Sequence, residues 1–278
     1  MYNRKKTYKL ALTILMLLLV LLMIFPFVLM FTSSMKPLNE IYLYPPKIWS
    51  ENASLESYRK VLFEQNPPFW SYIVNTTIVT VVSVAGTLLT ASLGGYAFAK
   101  MKFKGRNVLF LLYLATMMVP NQSLMVPQFI LFKHLGIFNT LWALILPRLF
   151  TPLGTFLMRQ YFLDIPDEII EAGRIDGAGD FRIFSTLVLP LAKPALSTVA
   201  ILHFVWRWND YEAPLIFISD KKYYTLTVGL TNFIDESGFA LENMVMAGAT
   251  IATIPILLVY LLGQNYIIEG ITAGSVKG

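Results

Sequence analysis

The 278-residue sequence contains no cysteine and two histidines, and each shortage removes a class of chemistry. Without cysteine the chain has no disulfide, no thiol nucleophile and no cysteine-ligated metal, and His134 and His203 alone do not make a metal cluster. Charge is also scarce, because 14% of the residues are charged, against about 25% in a soluble domain. Since 56% are hydrophobic, the composition predicts a protein that lies mostly in lipid.

The sequence also lacks the phosphate-binding motif of ATPases. A Walker A loop needs a Gly-Lys pair, and no Gly-Lys dipeptide occurs in the chain. The run GAGDFR from Gly177 lacks the third glycine of a dinucleotide fingerprint, and no predicted strand precedes it. We therefore expect no catalytic residue, no cofactor and no metal, and we assign any ATP hydrolysis to another polypeptide.

Apolar runs close to the length of a bilayer span recur along the chain. They predict an all-α membrane protein, a single permease domain over 1–278, with six transmembrane helices at about 10–31, 72–97, 108–126, 140–162, 196–218 and 244–268. The first run is too long for a signal peptide and has no cleavage site, so we expect an uncleaved helix.

Basic residues cluster at the ends of these runs. The loop after the second span holds Lys100, Lys102, Lys104 and Arg106 without an acid, whereas 36–64 balances its charges. The positive-inside rule then places the N-terminus and, with six spans, the C-terminus in the cytoplasm. These membrane anchors account for the net charge of +5, and we predict no binding to nucleic acid.

Prolines interrupt the third and fourth predicted spans at Pro120, Pro127, Pro147 and Pro152. Each removes a backbone donor that lipid cannot replace, so we expect the kinks to face protein or a water-lined cavity. Small residues that allow close helix approach cluster in two spans, at Ala91, Gly94 and Gly95 and at Ala247, Gly248 and Ala252.

Charged residues inside the predicted spans are costly in lipid and are therefore candidates for function. Those in or near the spans are Arg148, Arg207, Asp210 and Glu212. In one interpretation a translocation path is lined by Arg207, Trp208, Asn209 and Asp210, with Trp206 and Trp208 as stacking faces for a sugar. In the other, which we favour for individual residues, Arg207 pairs with Asp210 to neutralise a buried helix. For His203 we favour a packing role.

A polar stretch, residues 163–195, lies between the fourth and fifth predicted spans and is too long for a tight turn. Pro166 suits the first helical position, Asp167 and Glu168 complement the positive helix end, and Gly177 can end the helix in a left-handed conformation. The pattern predicts a short amphipathic helix. Such a helix fits either a groove of a soluble partner or the lipid headgroup layer, and composition does not choose between them.

The spacing in this stretch resembles the EAA loop of ABC importer permeases, through Glu171, Ala172, Gly173, Gly177, Leu187, Leu189 and Pro190. Glycine at 173 and leucine at 187 replace the family's usual alanine and isoleucine. The resemblance implies coupling helices that dock in a cleft of the ATPase, with Glu171 making a polar contact. It implies a close-fitting face made of Ala172, Gly173, Asp176 and Gly177. Pro190 would end the loop.

Two further stretches resemble carbohydrate permeases of the maltose-importer group: 208–218, like their fifth span, and 266–278, like their closing segment. The resemblance implies an ATP-driven sugar or oligosaccharide importer in a bacterial or archaeal cell (inner) membrane, with 270–278 reaching between the ATPase subunits. Its partners would be an ATP-binding subunit dimer, a second homologous permease, an extracellular solute-binding protein, the sugar and membrane lipid. An ion-gradient-driven secondary transporter is the alternative, because such proteins use broken helices.

Overall fold

The computed structural model describes residues 2–234 and 238–273, with side chains described for 8–234 and 238–264. Its α-helices run in this order: α1 Tyr2–Ser34, α2 Leu38–Ile41, α3 Glu56–Arg59, α4 Phe69–Lys100, α5 Arg106–Ala115, α6 Asn121–His134, α7 Leu141–Ile145, α8 Pro152–Asp164, α9 Asp167–Ile175, α10 Asp180–Ile183, α11 Leu189–Leu191, α12 Lys193–Trp208, α13 Glu212–Phe217, α14 Leu226–Gly229 and α15 Glu242–Ala273. Short 3-10 and π turns extend several of them. The predicted all-α class is confirmed.

Among the described residues, four helical stretches are long and apolar enough to cross a membrane: Tyr8–Ser34, Phe69–Lys100, Leu141–Asp164 and Glu242–Gln264. Two bent helix pairs would raise the number to six if each pair is one span. These are Arg106–Met118 with Asn121–His134, bent by 94°, and Asp180–Leu191 with Lys193–Trp208, bent by 78°. The count of six is therefore reached only if both bent pairs are spans, and the second pair begins at Asp180, well before the predicted fifth span of 196–218.

The third and fifth predicted spans differ most from the observed helices. The range 108–126 runs across the bend, because Pro120 forces an extended backbone at Val119 and serves as the N-cap of α6. The range 196–218 also contains a break: α12 ends at Trp208, and the side chain of Asp210 accepts a hydrogen bond from the Ala213 amide at the start of α13. Pro120 thus divides the third predicted span, and the polar segment that contains Asn209 and Asp210 divides the fifth.

The described residues divide into two compact units, one within Met1–Trp70 and Gly229–Ile254, the other within Ser71–Val228 and Pro255–Gly278. In the first unit, Phe69 contacts Phe233 with ring centroids 5.4 Å apart, and a β-carbon added at Gly248 would lie 3.0 Å from the Phe233 ring. The prediction of a single permease domain stays a prediction.

The second unit is held by close packing of α4 on α8. A β-carbon added at Gly95 would lie 2.9 Å from the backbone nitrogen of Arg159, so the helices approach closely where glycine permits it. Next to Gly95, the rings of Tyr96 and Phe162 meet edge to face with their centroids 6.1 Å apart. Both residues belong to a buried hydrophobic cluster that also contains Ile183 and Val199.

The fourth span contains a break whose carbonyl groups are satisfied by α4. A 3-10 turn, Leu146–Arg148, contains Pro147, and α8 begins after it at Pro152. The Thr87 hydroxyl donates to the Arg148 carbonyl at 2.8 Å, and the Thr90 hydroxyl donates to the Leu149 carbonyl. Because lipid offers no donor, these hydroxyls replace the helical amides that the break removes.

Candidate functional site

The helix α9 starts and ends close to where the sequence predicts. Pro166 lies at the N-cap rather than at the first helical position, and Asp167 and Glu168 occupy the first turn. The end is a Schellman motif, because Gly177 has a φ of +79° and the Ala178 amide donates to the Gly173 carbonyl at 2.9 Å. Glycine at 177 is required by this left-handed backbone, and not by space, since nothing lies within 4 Å of an added β-carbon.

The inner face of α9 packs against the chain itself. Ile170 and Gly173 are buried, and a β-carbon added at Gly173 would lie 2.9 Å from Leu187 Cδ1 and 3.1 Å from Ile183 Cγ1. The structure therefore places Gly173 away from the predicted docking face, because the close approach it permits is to the following segment. Glycine at 173 and leucine at 187, the two departures from the family pattern, face each other.

The outer face of α9 is exposed and carries Glu171 and Ala172, and Asp176 and Gly177, which follow the helix directly, are exposed as well. Two apolar side chains extend it, since Ile175 is 86% exposed and Phe181, in the next helix, is 74% exposed. The sequence analysis did not single out these two residues. The sequence could have indicated them, because each is an apolar residue that falls outside the buried face of a mostly polar helix.

Leu189 and Pro190 lie outside this outer face. Leu189 is half-buried against the hydrophobic cluster of the second unit, and Pro190 is exposed within α11. The sequence predicts that the loop ends at Pro190. In the structure the helical stretch continues to Leu191, the chain bends there, and α12 starts at Lys193. Pro190 follows the π turn Phe184–Val188, near the end of the helical stretch Asp180–Leu191.

A cleft of about 870 Å³ separates α9 from the loop that joins α4 to α5. Its charged lining is mainly basic: Lys100, Lys102, Lys104, Arg106 and Arg174, with Asp167 and Glu171 as the acids. Arg174 is engaged by Asp180 at 3.1 Å, and Arg106 donates to the carbonyls of Ala99 and Met101. Glu171 therefore lies on a positively charged cleft, and no described residue forms an ion pair with it within 4.0 Å.

The N-terminal end of α9 is tied to the last residue of α4. Lys100 donates to the Ile165 carbonyl at 2.6 Å and forms an ion pair with Asp167. The Lys100 side chain is 6% exposed, whereas that of Asp167 is 75% exposed. The hydrogen bond from Lys100, followed by its charge, holds the pKa of Asp167 below its ordinary value.

A second cavity, of about 760 Å³, opens where the third, fourth and fifth predicted spans are broken. We call it the broken-span cavity. The polar and charged groups that line it include Asn121, Gln128, Arg148, His203, Arg207, Asn209, Asp210 and Glu212. Such groups at membrane depth have to face protein or water, and the cavity meets that requirement.

The charges of the broken-span cavity are largely paired with one another. Asp210 accepts from Arg207 at 3.3 Å and lies 3.5 Å from Arg148, so one carboxylate is shared by two guanidinium groups. The Gln122 amide lies 3.5 Å from a Glu212 oxygen. The pairing of Arg207 with Asp210 that the sequence analysis favoured is present, and Arg148 joins it.

Of the aromatic residues proposed for a path, Trp206 lines the broken-span cavity and Trp208 does not. Trp208 is 5% exposed and stacks on Phe204, with centroids 5.4 Å apart. Trp206 is 45% exposed, and the buried His203 ring meets it edge to face at 5.1 Å. On α12 the two tryptophans fall on different sides, and sequence alone did not indicate which side faced the cavity.

Two other predictions concern metals and the C-terminal tail. Within the described part of the chain, no group of three or more histidine, aspartate or glutamate side chains is placed to hold a metal ion. The predicted role of 270–278 falls mostly on residues 274–278, which lie outside the described residues.

Comparisons with known proteins place the chain in a transporter family. Residues 86–272 match the family model described as "Binding-protein-dependent transport system inner membrane component". The chain is 33% identical to the arabinooligosaccharides transport system permease protein of Bacillus subtilis over 277 residues, covering 98% of this chain and 96% of that protein. It is also 33% identical to the trehalose/maltose transport system permease protein of Thermococcus litoralis, with 94% of each covered.

Solved structures give the same result. A chain of a bacterial ABC transporter involved in the import of the acidic polysaccharide alginate superposes with a TM-score of 0.84 at 26% identity, covering 94% of this chain and 96% of that one. A chain of the methionine ABC transporter, with a TM-score of 0.53 and 16% identity, shares the fold. The chain thus belongs to the binding-protein-dependent transport system inner membrane components, as a multi-pass permease subunit of an ATP-driven importer whose ATPase is a separate subunit.

Proposed function

We propose that this permease imports a sugar or oligosaccharide, that the outer face of α9 docks on the ATP-binding subunit, and that the broken-span cavity lines the path. The named relatives transport arabinooligosaccharides and trehalose/maltose, which supports a carbohydrate substrate. Family membership replaces the ion-gradient alternative, because binding-protein-dependent systems of this type use an ATPase.

The observation that carries the docking proposal is the division of α9 into two faces. Ile170 and Gly173 are already packed within the chain, so they are not available to a partner. The exposed side presents Glu171 beside Ile175. An exposed isoleucine next to a carboxylate that forms no ion pair with a described residue is typical of a protein contact surface. We place Glu171, Ala172, Asp176 and Gly177 in the contact, with Ile175 and Phe181 as its apolar part.

The same proposal fixes orientation and partners. Glu171 of the docking face lines the same cleft as the basic residues Lys102 and Lys104. By the positive-inside rule these lysines lie on the cytoplasmic side, and the docking face lies there with them. We therefore place both termini in the cytoplasm of a bacterial or archaeal cell. A second permease would complete the path, two ATP-binding subunits would lie below, and an extracellular binding protein would deliver the sugar.

The docking proposal is tested by reconstituting the full complex in proteoliposomes and measuring ATPase capture and sugar uptake. Glu171→Ala and Gly177→Val are expected to insert normally but to lose most ATP-dependent uptake. Glu51→Ala, an exposed carboxylate between the first two spans, and Gly179→Val, which has open space and an ordinary backbone, are the matched controls. Normal uptake by both α9 variants would refute the docking site, and binding of α9 to lipid vesicles alone would favour the headgroup alternative.

For the path we propose Arg207, Asn209 and Asp210, as the sequence analysis does, and of its two aromatic faces we keep Trp206 and leave out Trp208. A half-exposed indole beside amides and carboxylates suits a sugar ring, because apolar faces stack and hydroxyls find polar partners. Trp206→Ala is expected to lower the maximal rate of sugar uptake while ATPase capture stays normal. Trp142→Ala, at another exposed tryptophan, is the control. Equal uptake by the two variants would remove Trp206 from the path.

A further inference from the structure

The buried end of Lys100 joins two elements that the sequence treats as separate. Lys100 is the last residue of α4, and its amino group donates to the carbonyl of Ile165 at 2.6 Å and to the carboxylate of Asp167. These two acceptors flank Pro166, the N-cap of α9. One side chain therefore holds the turn from which α9 starts.

Burial makes this contact different from an ordinary surface ion pair. Asp167 is 75% exposed, so its charge is screened by solvent and its attraction alone holds little. The Lys100 side chain, in contrast, is 6% exposed, and a buried ammonium group has to keep its hydrogen-bond acceptors. The Ile165 residue that supplies the carbonyl is itself buried, at 7% exposure.

The remainder of α9 is fixed at a different place. Its inner face packs through Gly173 on Ile183 and Leu187, in the segment that leads into α12. The helix is thus held at its start by α4 and along its inner side by the approach to α12. A displacement of α9 acts on both, and Lys100 is the polar connection to α4.

We propose that Lys100 is a positioning residue that transmits the movement of α9 to α4. The proposal rests on the docking of α9 on the ATP-binding subunit, and it adds the second half of the route, from the docking helix to a membrane-spanning helix. Lys100 contacts neither the sugar nor the ATPase in this scheme; it acts through the start of α9.

Neighbouring lysines offer a control. Lys104 lies in the same loop and is exposed, and it makes no ion pair within 4.0 Å among the described residues. Lys102 is less suitable, because its charge also helps to lower the pKa of Asp167. Lys104→Met therefore removes the same charge from the same loop without touching the contact.

The experiment measures sugar uptake per ATP hydrolysed by the complete complex in proteoliposomes. Lys100→Met is expected to capture the ATPase but to transport at least about fivefold less sugar per ATP, the lower end of ordinary coupling between sites. Asp167→Asn is expected to give a smaller loss in the same direction. Lys100→Arg, which keeps a buried donor, restores most of the ratio, and Lys104→Met leaves it unchanged.

An unchanged ratio in both Lys100→Met and Asp167→Asn would overturn the proposal. So would a Lys100→Met complex that forms in lower yield but transports normally per ATP, because that result describes a structural role only. If Lys100→Met does not accumulate, Asp167→Asn and Lys100→Arg decide, since Asp167 is 75% exposed and we expect its replacement to leave the fold intact. Failure of the natural chain to capture an ATPase would instead refute the proposed function itself.

Discussion

The helix α9 and the broken-span cavity lie in the same compact unit and both carry charged side chains, but they pair them differently. In the cavity, Asp210 is shared by Arg148 and Arg207, and all three side chains are between 12% and 26% exposed. On the outer face of α9, Glu171 and Asp176 are exposed and form no ion pair with a described residue. The membrane interior has to neutralise its charges within the chain, whereas the loop leaves them for a partner.

The largest effect that would sharpen this comparison is expected at Asp210. Asp210→Asn leaves two guanidinium groups without a carboxylate in a largely enclosed site, and we expect the free energy of unfolding to fall by about 3 kcal/mol. Asp180→Asn breaks the exposed pair with Arg174 and should lower it by less than about 1 kcal/mol. Equilibrium unfolding in mixed micelles measures both. Equal losses would show that the cavity pairing is no stronger than the surface one.

A smaller effect is expected at the end of α9. Gly177→Ala places a β-carbon on a residue with a φ of +79°, and we expect the last turn of α9 to lose about 1 kcal/mol. Gly179→Ala, also in open space but with a φ of −71°, should lose nothing from this source. Hydrogen exchange of the 177 and 178 amides reports the turn directly. Unchanged protection in Gly177→Ala would mean that the left-handed conformation is not needed in solution.

The smallest effect is a pH dependence at the start of α9. Because Lys100 holds the folded pKa of Asp167 below its ordinary value of 3.8, the ion pair stabilises the fold at pH values above 3.8. That contribution is lost as the pH falls through the lower, folded pKa. Protection of α9 amides should therefore decrease on acidification in the natural chain more than in Asp167→Asn. Identical pH profiles would show that the pair adds nothing to the stability of α9.

Local signals predicted α9 well. The acidic first turn and the glycine at 177 are short-range features, and the structure has the helix from Asp167 to Ile175 with Gly177 left-handed after it. The orientation of Gly173 was not predictable in the same way. Helical periodicity puts residues on faces, but only the fold decides that the face of Gly173 meets Leu187 rather than a partner.

For the broken spans, in contrast, local sequence signals predicted less of the structure. Apolar residues lie on both sides of Pro120 and of Asn209 and Asp210, so span length alone predicted two unbroken helices, although polar residues lie at or beside the two breaks. Pro120 signalled a kink, yet a bend of 94° depends on what the freed groups contact. For the same reason the sequence offered both Trp206 and Trp208 as stacking faces, because the side of α12 that faces a cavity depends on the other broken helices.

The hydroxyls of Thr87 and Thr90 have an evolutionary consequence. They donate to the carbonyls of Arg148 and Leu149, so the interruption of one span depends on residues carried by another, about 60 positions earlier. A change to valine at either threonine preserves size and hydropathy and would pass as conservative in the aligned sequence of α4. Its effect would be felt in a different helix. The two threonines and the proline-containing turn they support are therefore expected to be inherited together.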